Sequence, residues 1–350
     1  HLPNVRITSC RYKTNTVSNT AFRGFGGPQG MLAIEGVVDD IARHLDLDPL
    51  AVRRANFYGG PGRDVTPFGM RVEDFIAGEL VDQLEASSRY QERRAAISAF
   101  NAVSPVLKRG IALTPVKFGI SFTTSFLNQA GALVHVYTDG SVLLNHGGTE
   151  MGQGLYTKVA QVVADMFGIG LDRVRLSSTR TDKVPNTSAT AASAGADLNG
   201  MASFNAARTI RDRLAVFLAA RWGIEPSDLS FAHGQVTAGD RSIGFADLVR
   251  QAYLSRISLS ATGFYATPKI DVDKETLIGR PFYYFAYGAA VSEVVIDTLT
   301  GETKLLAVDI LHDCGASLDP VLDRGQVEGG FVQGLGWLTM EELVFDQTGH

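Results

Sequence analysis

Cysteine is nearly absent: Cys10 and Cys314 are the only two in 350 residues, too few for a thiolate-held iron–sulfur cluster or a disulfide framework. A reducing, cytoplasmic compartment is the resulting expectation. No run of Lys or Arg occurs and the net charge is -5, which argues against nucleic acid or an anionic membrane surface as a partner. No apolar run reaches the length of a membrane span, and the N-terminus does not read as a signal peptide. Charged residues make up 20% of the chain, a little under the typical share of about 25%, as expected of a surface partly covered by other protein. The chain opens at His1 without Met and stops at Asp346 to His350, which reads as a hairpin turn without its second strand. Truncation at both ends is expected.

What is abundant is glycine, and one glycine-rich stretch organises the rest. Asn145 to Gly154 runs Asn-His-Gly-Gly-Thr-Glu-Met-Gly-Gln-Gly. Before it, Ala132 to Thr138 and Ser141 to Leu144 are β-rich runs around Asp139-Gly140, a pair that predicts a two-residue hairpin turn. After it, Leu155, Val159, Val162, Val163 and Met166 recur at helical spacing and predict an amphipathic helix. Glycines permit close backbone approach, and a helix start offers unpaired N–H groups with partial positive charge. Such a loop suits a phosphate or the polar edge of a ring, and the Gln153 amide can donate and accept at once. The competing reading is a turn that only re-aims the chain.

Taken in order, residues 4 to 12 read as a strand, and Ala21 to Gly30 as a second glycine loop before a helix with Ile34, Val37, Val38, Ile41 and Leu45 on one face. Its glycine spacing does not fit a dinucleotide fingerprint. Asp48-Pro49 predicts an N-cap followed by proline at the first helical position. Residues 71 to 100 read as mostly helical, and Ile111 to Phe126 as one or two strands. Arg173 to Thr179 predicts a strand, followed by an uncharged run of small residues, Val184 to Ala196, and a long helix carrying Ala207, Ile210, Leu214, Phe217 and Leu218. Trp222 to Asp240 shows the least pattern and reads as a surface insertion.

Ser258 to Tyr265, Tyr283 to Asp297 and Thr303 to Ile310 read as strands, and Gly325-Gln326 as the start of a last helix with Val327, Phe331, Leu335 and Leu338. Gly152-Gln153 and Gly325-Gln326 would then be corresponding pairs of an internal duplication, able to hold one ligand between them. The expected fold is α+β: mixed sheets with helices, built from repeated units of strand or hairpin, glycine-rich loop and helix. The expected division is residues 1–108, then the hairpin-loop-helix repeats of 109–350.

Five loops together carry a family resemblance: Thr20 to Gln29, Lys117 to Thr123, Gly147 to Gly154, Asn186 to Ser193 and Gly325 to Gly329. In this order they resemble the molybdenum-cofactor portion of the xanthine dehydrogenases, within the molybdenum hydroxylase family, over nearly the whole chain. A bacterial source is expected. The resemblance implies oxidation of hypoxanthine and xanthine with water as the oxygen source, at a metal held by a pterin dithiolene and by no protein ligand. It also implies electron transfer through two 2Fe-2S clusters and FAD to NAD, none of which this chain can house. A subunit or domain carrying those carriers, the remainder of the large subunit and an oligomeric assembly are the implied partners.

Carried over by position, Arg23, Gly152, Gln153, Ala191, Ala192, Ser193 and Gln326 match contacts to the molybdopterin, its phosphate or the metal's oxo group. Phe25 and Phe122 match the two rings that hold the purine, and Thr123 a substrate hydrogen-bonder. By residue type alone, Phe25 is equally readable as a core aromatic, and Phe122, on one face with Phe118 if the run is extended, reads first as part of a core aromatic pair. The family's catalytic Glu sits in a Gly-Glu-Pro-Pro motif that does not occur here, so no catalytic residue is assigned, Glu150 and Glu328 included. The chain by itself is expected to be inactive. An aldehyde oxidase of the same family and a non-catalytic assembly module are the alternative readings.

Overall fold

The structure is a computed structural model that describes residues 1–349. Residues before 27 form no helix or strand, so the strand expected over 4 to 12 is absent. The alternation there has no neighbouring strand to pair with, and backbone groups without a ladder partner do not hold an extended strand. The first helices are α1 (Gly27–Leu45), α2 (Pro49–Ala55), α3 (Ala77–Ser87) and α4 (Tyr90–Val103). Asp48 caps α2 as its type predicts, its side chain accepting from Leu50 N at 2.8 Å.

The periodic face of α1 is not a core face. Ile34, Val37, Ile41 and Leu45 are exposed, and Ala42 is the one fully buried residue of the helix. The cause is electrostatic: buried Arg53 of α2 pairs with Glu35 at 2.5 Å and Asp39 at 2.8 Å. A buried guanidinium needs such partners, so α1 turns its acidic stripe toward α2 and its apolar stripe outward.

One long strand, β1 (Leu107–Ile120), occupies most of the next apolar run. It is followed by β2 (Gln129–Val136), β3 (Val142–His146), α5 (Leu155–Phe167), β4 (Val174–Leu176) and α6 (Gly195–Trp222). Three short strands, β5 (Ser230–Ala232), β6 (Gln235–Ala238) and β7 (Arg241–Gly244), precede α7 (Phe245–Leu254) and β8 (Ser260–Ala266). The last elements are β9 (Asp271–Val272), β10 (Gly279–Arg280), β11 (Tyr284–Asp297), β12 (Thr303–Asp313) and α8 (Pro320–Thr339).

Two sheets frame the molecule: β1-β11-β12, antiparallel, and β4-β3-β2-β8, in which β4 runs parallel to β3. Pro115 sits on edge strand β1 opposite Ala289, where its missing N–H costs no ladder bond. The β2–β3 turn is not the expected two-residue one. Gly140, at φ 77, donates to Tyr137 O and Tyr137 N donates to Ser141 O, a three-residue loop with a left-handed last residue that suits strand twist.

The largest core packs α5, α6 and α7 on the β4-β3-β2-β8 sheet. Val236 and Leu229, from the stretch read as a surface insertion, are buried in it. That stretch opens a three-stranded sheet, β5-β6-β7, packed against α5 and α7, too short in each strand to show alternation. A second core joins Leu50, Val81, Leu84 and Tyr90 to Leu113, Ala289 and Val291, across residue 108.

Candidate functional site

Four segments meet around the central loop at the carboxyl end of β3. Thr149 N donates to Thr190 Oγ1 at 2.8 Å, tying the loop to the small-residue segment before α6. A Cβ on Gly147 would lie 2.1 Å from Thr187 Oγ1, so the two loops touch at a point where no side chain fits. On the other side, Gln326 Nε2 donates to Gly152 O at 3.3 Å, and a Cβ on Gly154 would lie 2.4 Å from Leu322 Cδ1. Arg23 completes the group, donating to Gln326 O and Oε1 at 3.0 Å each and to Gln333 Oε1 at 3.0 Å. Arg23, Gly152, Gln153 and Gln326 are thus brought together, with Ala191 to Ser193 beside them through Thr190.

The two glycine-glutamine pairs meet, but not as equivalent helix starts. α8 begins at Pro320, where Asp319 accepts from Val321 N and Leu322 N at 3.1 Å each. Gly325-Gln326 therefore lies inside the helix, and only Gly152-Gln153 precedes one.

The central loop also differs from expectation in its amides. Glu150 Oε1 accepts from Gly152 N at 2.8 Å and Gly154 N at 3.0 Å, while Oε2 accepts from Tyr156 N at 2.9 Å. Burial pushes this carboxyl up, but bonds from the Tyr156, Gly154, Gly152 and Met151 N–H groups outweigh it and hold it below the usual range. A carboxylate of the chain itself already takes the positive end of α5. Gln153 likewise braces its own loop, donating to Thr149 O at 2.9 Å and accepting from Met151 N at 2.5 Å. Glu328 is on the surface, paired with Arg324 one helical turn away.

The start of α6 is the opposite case. It has no side-chain cap, and among the described residues the N–H groups of Ala192, Ser193, Gly195, Ala196 and Asp197 have no hydrogen-bond partner. Ala192 and Ser193 both stand in the left-handed region, at φ 57 and 56, a conformation costing on the order of 1–3 kcal/mol per non-glycine residue. Asp197, in the first turn, accepts from Tyr284 OH at 2.9 Å. Burial pushes its carboxyl above the usual range in spite of that bond. The unpartnered N–H groups of this helix start suit an oxyanion such as a phosphate.

Phe25, Phe122 and Thr123 fall outside all four apolar cores. Phe25 is 83% exposed at φ 46, and Phe122 is half-buried. The two rings do not pair with each other or with another ring among the described residues. Phe118, by contrast, packs in a core with Ile120, Ala194 and Leu198.

His146, last residue of β3, was not singled out by its sequence. It is 6% exposed, and its Nδ1 accepts from Gly148 N at 3.1 Å, which assigns the proton to Nε2. Its ring meets Tyr156 edge-on at 5.2 Å. Burial lowers its pKa from 6.5 to about 4, against the small opposing pull of Glu150. The unfolded chain therefore binds the proton more tightly than the folded one, so this contribution to stability is complete above about pH 6.5 and fades as pH falls toward 4. Between about pH 7 and about pH 5 the loss is about 2 kcal/mol. Thermal unfolding at both pH values should show that drop in the wild type and a smaller one in His146→Asn; equal drops would refute it.

Comparison with known proteins shows the family. A family described as the molybdopterin cofactor-binding domain matches residues 83–350, and a second of the same description matches residues 1–57. The chain is 49% identical to the xanthine dehydrogenase/oxidase of Gallus gallus over 100% of its length and 24% of that protein. It is 50% identical to the Mus musculus xanthine dehydrogenase/oxidase, over 99% of the chain and 24% of the relative. The chain thus spans about a quarter of the length of these relatives, which are animal proteins and lend no support to a bacterial source. In fold it is similar to CO dehydrogenase from Oligotropha carboxidovorans, with a TM-score of 0.78 at 22% identity, over 93% of this chain and 42% of that one. Among the described residues, no helix is long and apolar enough to cross a membrane, and no cluster of His, Cys, Asp and Glu could hold a metal ion.

Proposed function

Given that the chain belongs to the family of molybdopterin cofactor-binding domains, we propose that it holds the molybdenum cofactor of a purine hydroxylase acting on hypoxanthine and xanthine. The observation that carries this reading is the uncapped start of α6 behind Ala192 and Ser193. It is a donor set for an oxyanion with no acceptor from the chain itself. Identity of about one half to proteins named xanthine dehydrogenase/oxidase supports the choice of purine.

In this reading Ala192 and Ser193 bind the phosphate end through backbone N–H groups, with Ala191 lining the same end. Gly152, Gln153, Gln326 and Arg23 line the opposite side with amides, carbonyls and one guanidinium. Phe25 and Phe122 orient a flat heterocycle through ring contacts, with Thr123 as a hydrogen-bonding neighbour. When bound, the molybdenum group supplies the two-electron oxidation and the oxygen transfer. Neither Glu150 nor Glu328 is assigned as proton acceptor: Glu150 holds three loop amides and Glu328 pairs with Arg324. Two 2Fe-2S clusters, FAD and NAD, a cytoplasmic location and an oligomeric assembly belong to the proposal for the protein as a whole.

Molybdenum analysis and pterin fluorescence on the intact protein test the reading directly, since absence of both would leave an assembly module as the better description. Gln326→Ala should lower molybdenum occupancy, because it removes the side-chain bridge between Arg23 and Gly152 O. Gln153→Ala should act the same way by loosening the loop. Full occupancy and full turnover in both variants would count against the assigned side of the cleft.

A further inference from the structure

We propose that Asn128 is a positioning residue that fixes the orientation of the heterocycle by clamping Phe122, an inference that rests on the reading of Phe122 as a substrate-facing ring. Asn128 is 3% exposed and follows the single turn Ser125–Leu127. Its Oδ1 accepts from Phe122 N at 2.8 Å, and its Nδ2 donates to Phe122 O at 2.9 Å. One buried side chain therefore satisfies both backbone polar groups of the same residue. The orientation of the amide is fixed by its partners, since an N–H must face Oδ1 and a carbonyl must face Nδ2. Nδ2 also lies 3.4 Å from Thr124 O and 3.4 Å from Ser125 O.

The clamp is anchored on both sides. Thr267 N, just past β8, donates to Asn128 O at 2.9 Å. Before Phe122, buried Ser121 stands at φ 145, a region that L residues rarely adopt, and its Oγ accepts from Tyr283 N at 3.2 Å. Strain of this kind persists only where the surroundings over-determine the conformation. Without the clamp, the Ser121–Phe122 peptide would relax and carry the ring with it. A flat ligand held by ring contacts has no charge to restore its angle, so a tilt of the wall becomes a tilt of the ligand.

Hypoxanthine offers a direct readout because it has two oxidisable carbons, C2 and C8. The share of product from each reports orientation, whereas a loss of folded or molybdenum-loaded protein lowers both together. Asn128→Asp keeps the shape and the Oδ1 acceptor but sets a carboxylate against three carbonyls. In the intact, molybdenum-loaded protein this variant is expected to raise KM for hypoxanthine at least about fivefold and to shift the C2-to-C8 product ratio at least about threefold. An unchanged ratio and KM per molybdenum would overturn the clamp, whatever happens to stability.

If Asn128→Asp does not accumulate as folded protein, Asn128→Ser takes its place, since the shorter hydroxyl cannot reach both Phe122 N and Phe122 O. The same direction of change in the ratio is expected, and an unchanged ratio again overturns the proposal. Phe122→Ala, run alongside, separates the two levels. If it leaves the ratio and KM untouched, the substrate-facing reading of Phe122 has failed. If it moves them and the clamp variants do not, only the role of Asn128 has failed.

Discussion

Phe122→Ala is expected to lower kcat/KM for xanthine about a hundredfold, the cost of losing orientation at a reacting centre, while molybdenum content and thermal midpoint stay near wild type. The expectation follows from where the ring is not. It is half-buried and belongs to none of the four apolar cores, so truncation removes little packing. A core phenylalanine would instead cost about 3–5 kcal/mol on truncation and leave the kinetics of the surviving folded protein normal. Phe118, on the same strand-and-loop segment and packed in a core, is the matched control for that second outcome. Kinetics, metal content and unfolding measured on one preparation decide between them. A large stability loss with normal turnover per molybdenum in Phe122→Ala would remove the main residue-level reason for preferring a purine.

The second large effect is expected at Gly263, a residue with no assigned ligand contact. A Cβ there would lie 2.0 Å from Ala202 O and 2.6 Å from Ala206 N, and backbone atoms of a packed helix cannot step aside as a side chain can. Gly263→Ala should therefore lift α6 from β8 and cost about 3 kcal/mol or more, at the upper end of overpacking. Since the first turn of α6 is also the proposed phosphate end, molybdenum occupancy should fall with the thermal midpoint. Gly36→Ala supplies the contrast, because that helical position has nothing within 4 Å of a new Cβ. It should be stabilising by about 0.5–1 kcal/mol. Equal midpoints for the two variants would show that the close approach of α6 to β8 is not a determinant of stability.

How far these features could be read from sequence depended on whether the deciding chemistry was local. Asp48-Pro49 announced α2 because a cap and a proline act within one turn. The same signal stands at Asp319-Pro320, yet the more conspicuous Gly325-Gln326 drew the helix start to itself. α5 was legible from its period, and its buried residues Leu155, Val159 and Val163 fall on the expected face. α1 has an equally good period and turned the other way, because the deciding partner was Arg53 on the next helix. Of the site, the loops and their order were legible, since each is a contiguous motif. The roles of Glu150, Thr190 and Asn128 were not. Each acts through backbone groups two to forty-one residues away, and a carboxylate folded back on its own loop looks in sequence like one aimed at a ligand.

The Glu150 contacts bear on how a large guest would enter this cleft. Because the chain supplies its own anion to that loop, one wall is rigid in advance and gives up no conformational freedom on binding. The other wall, at 186–194, is built differently: Asn186, Ala192 and Ser193 carry left-handed backbone angles, and Thr190 ties the segment to the central loop. A guest bound there then rests, on the Glu150 side, against a template that is folded before it arrives.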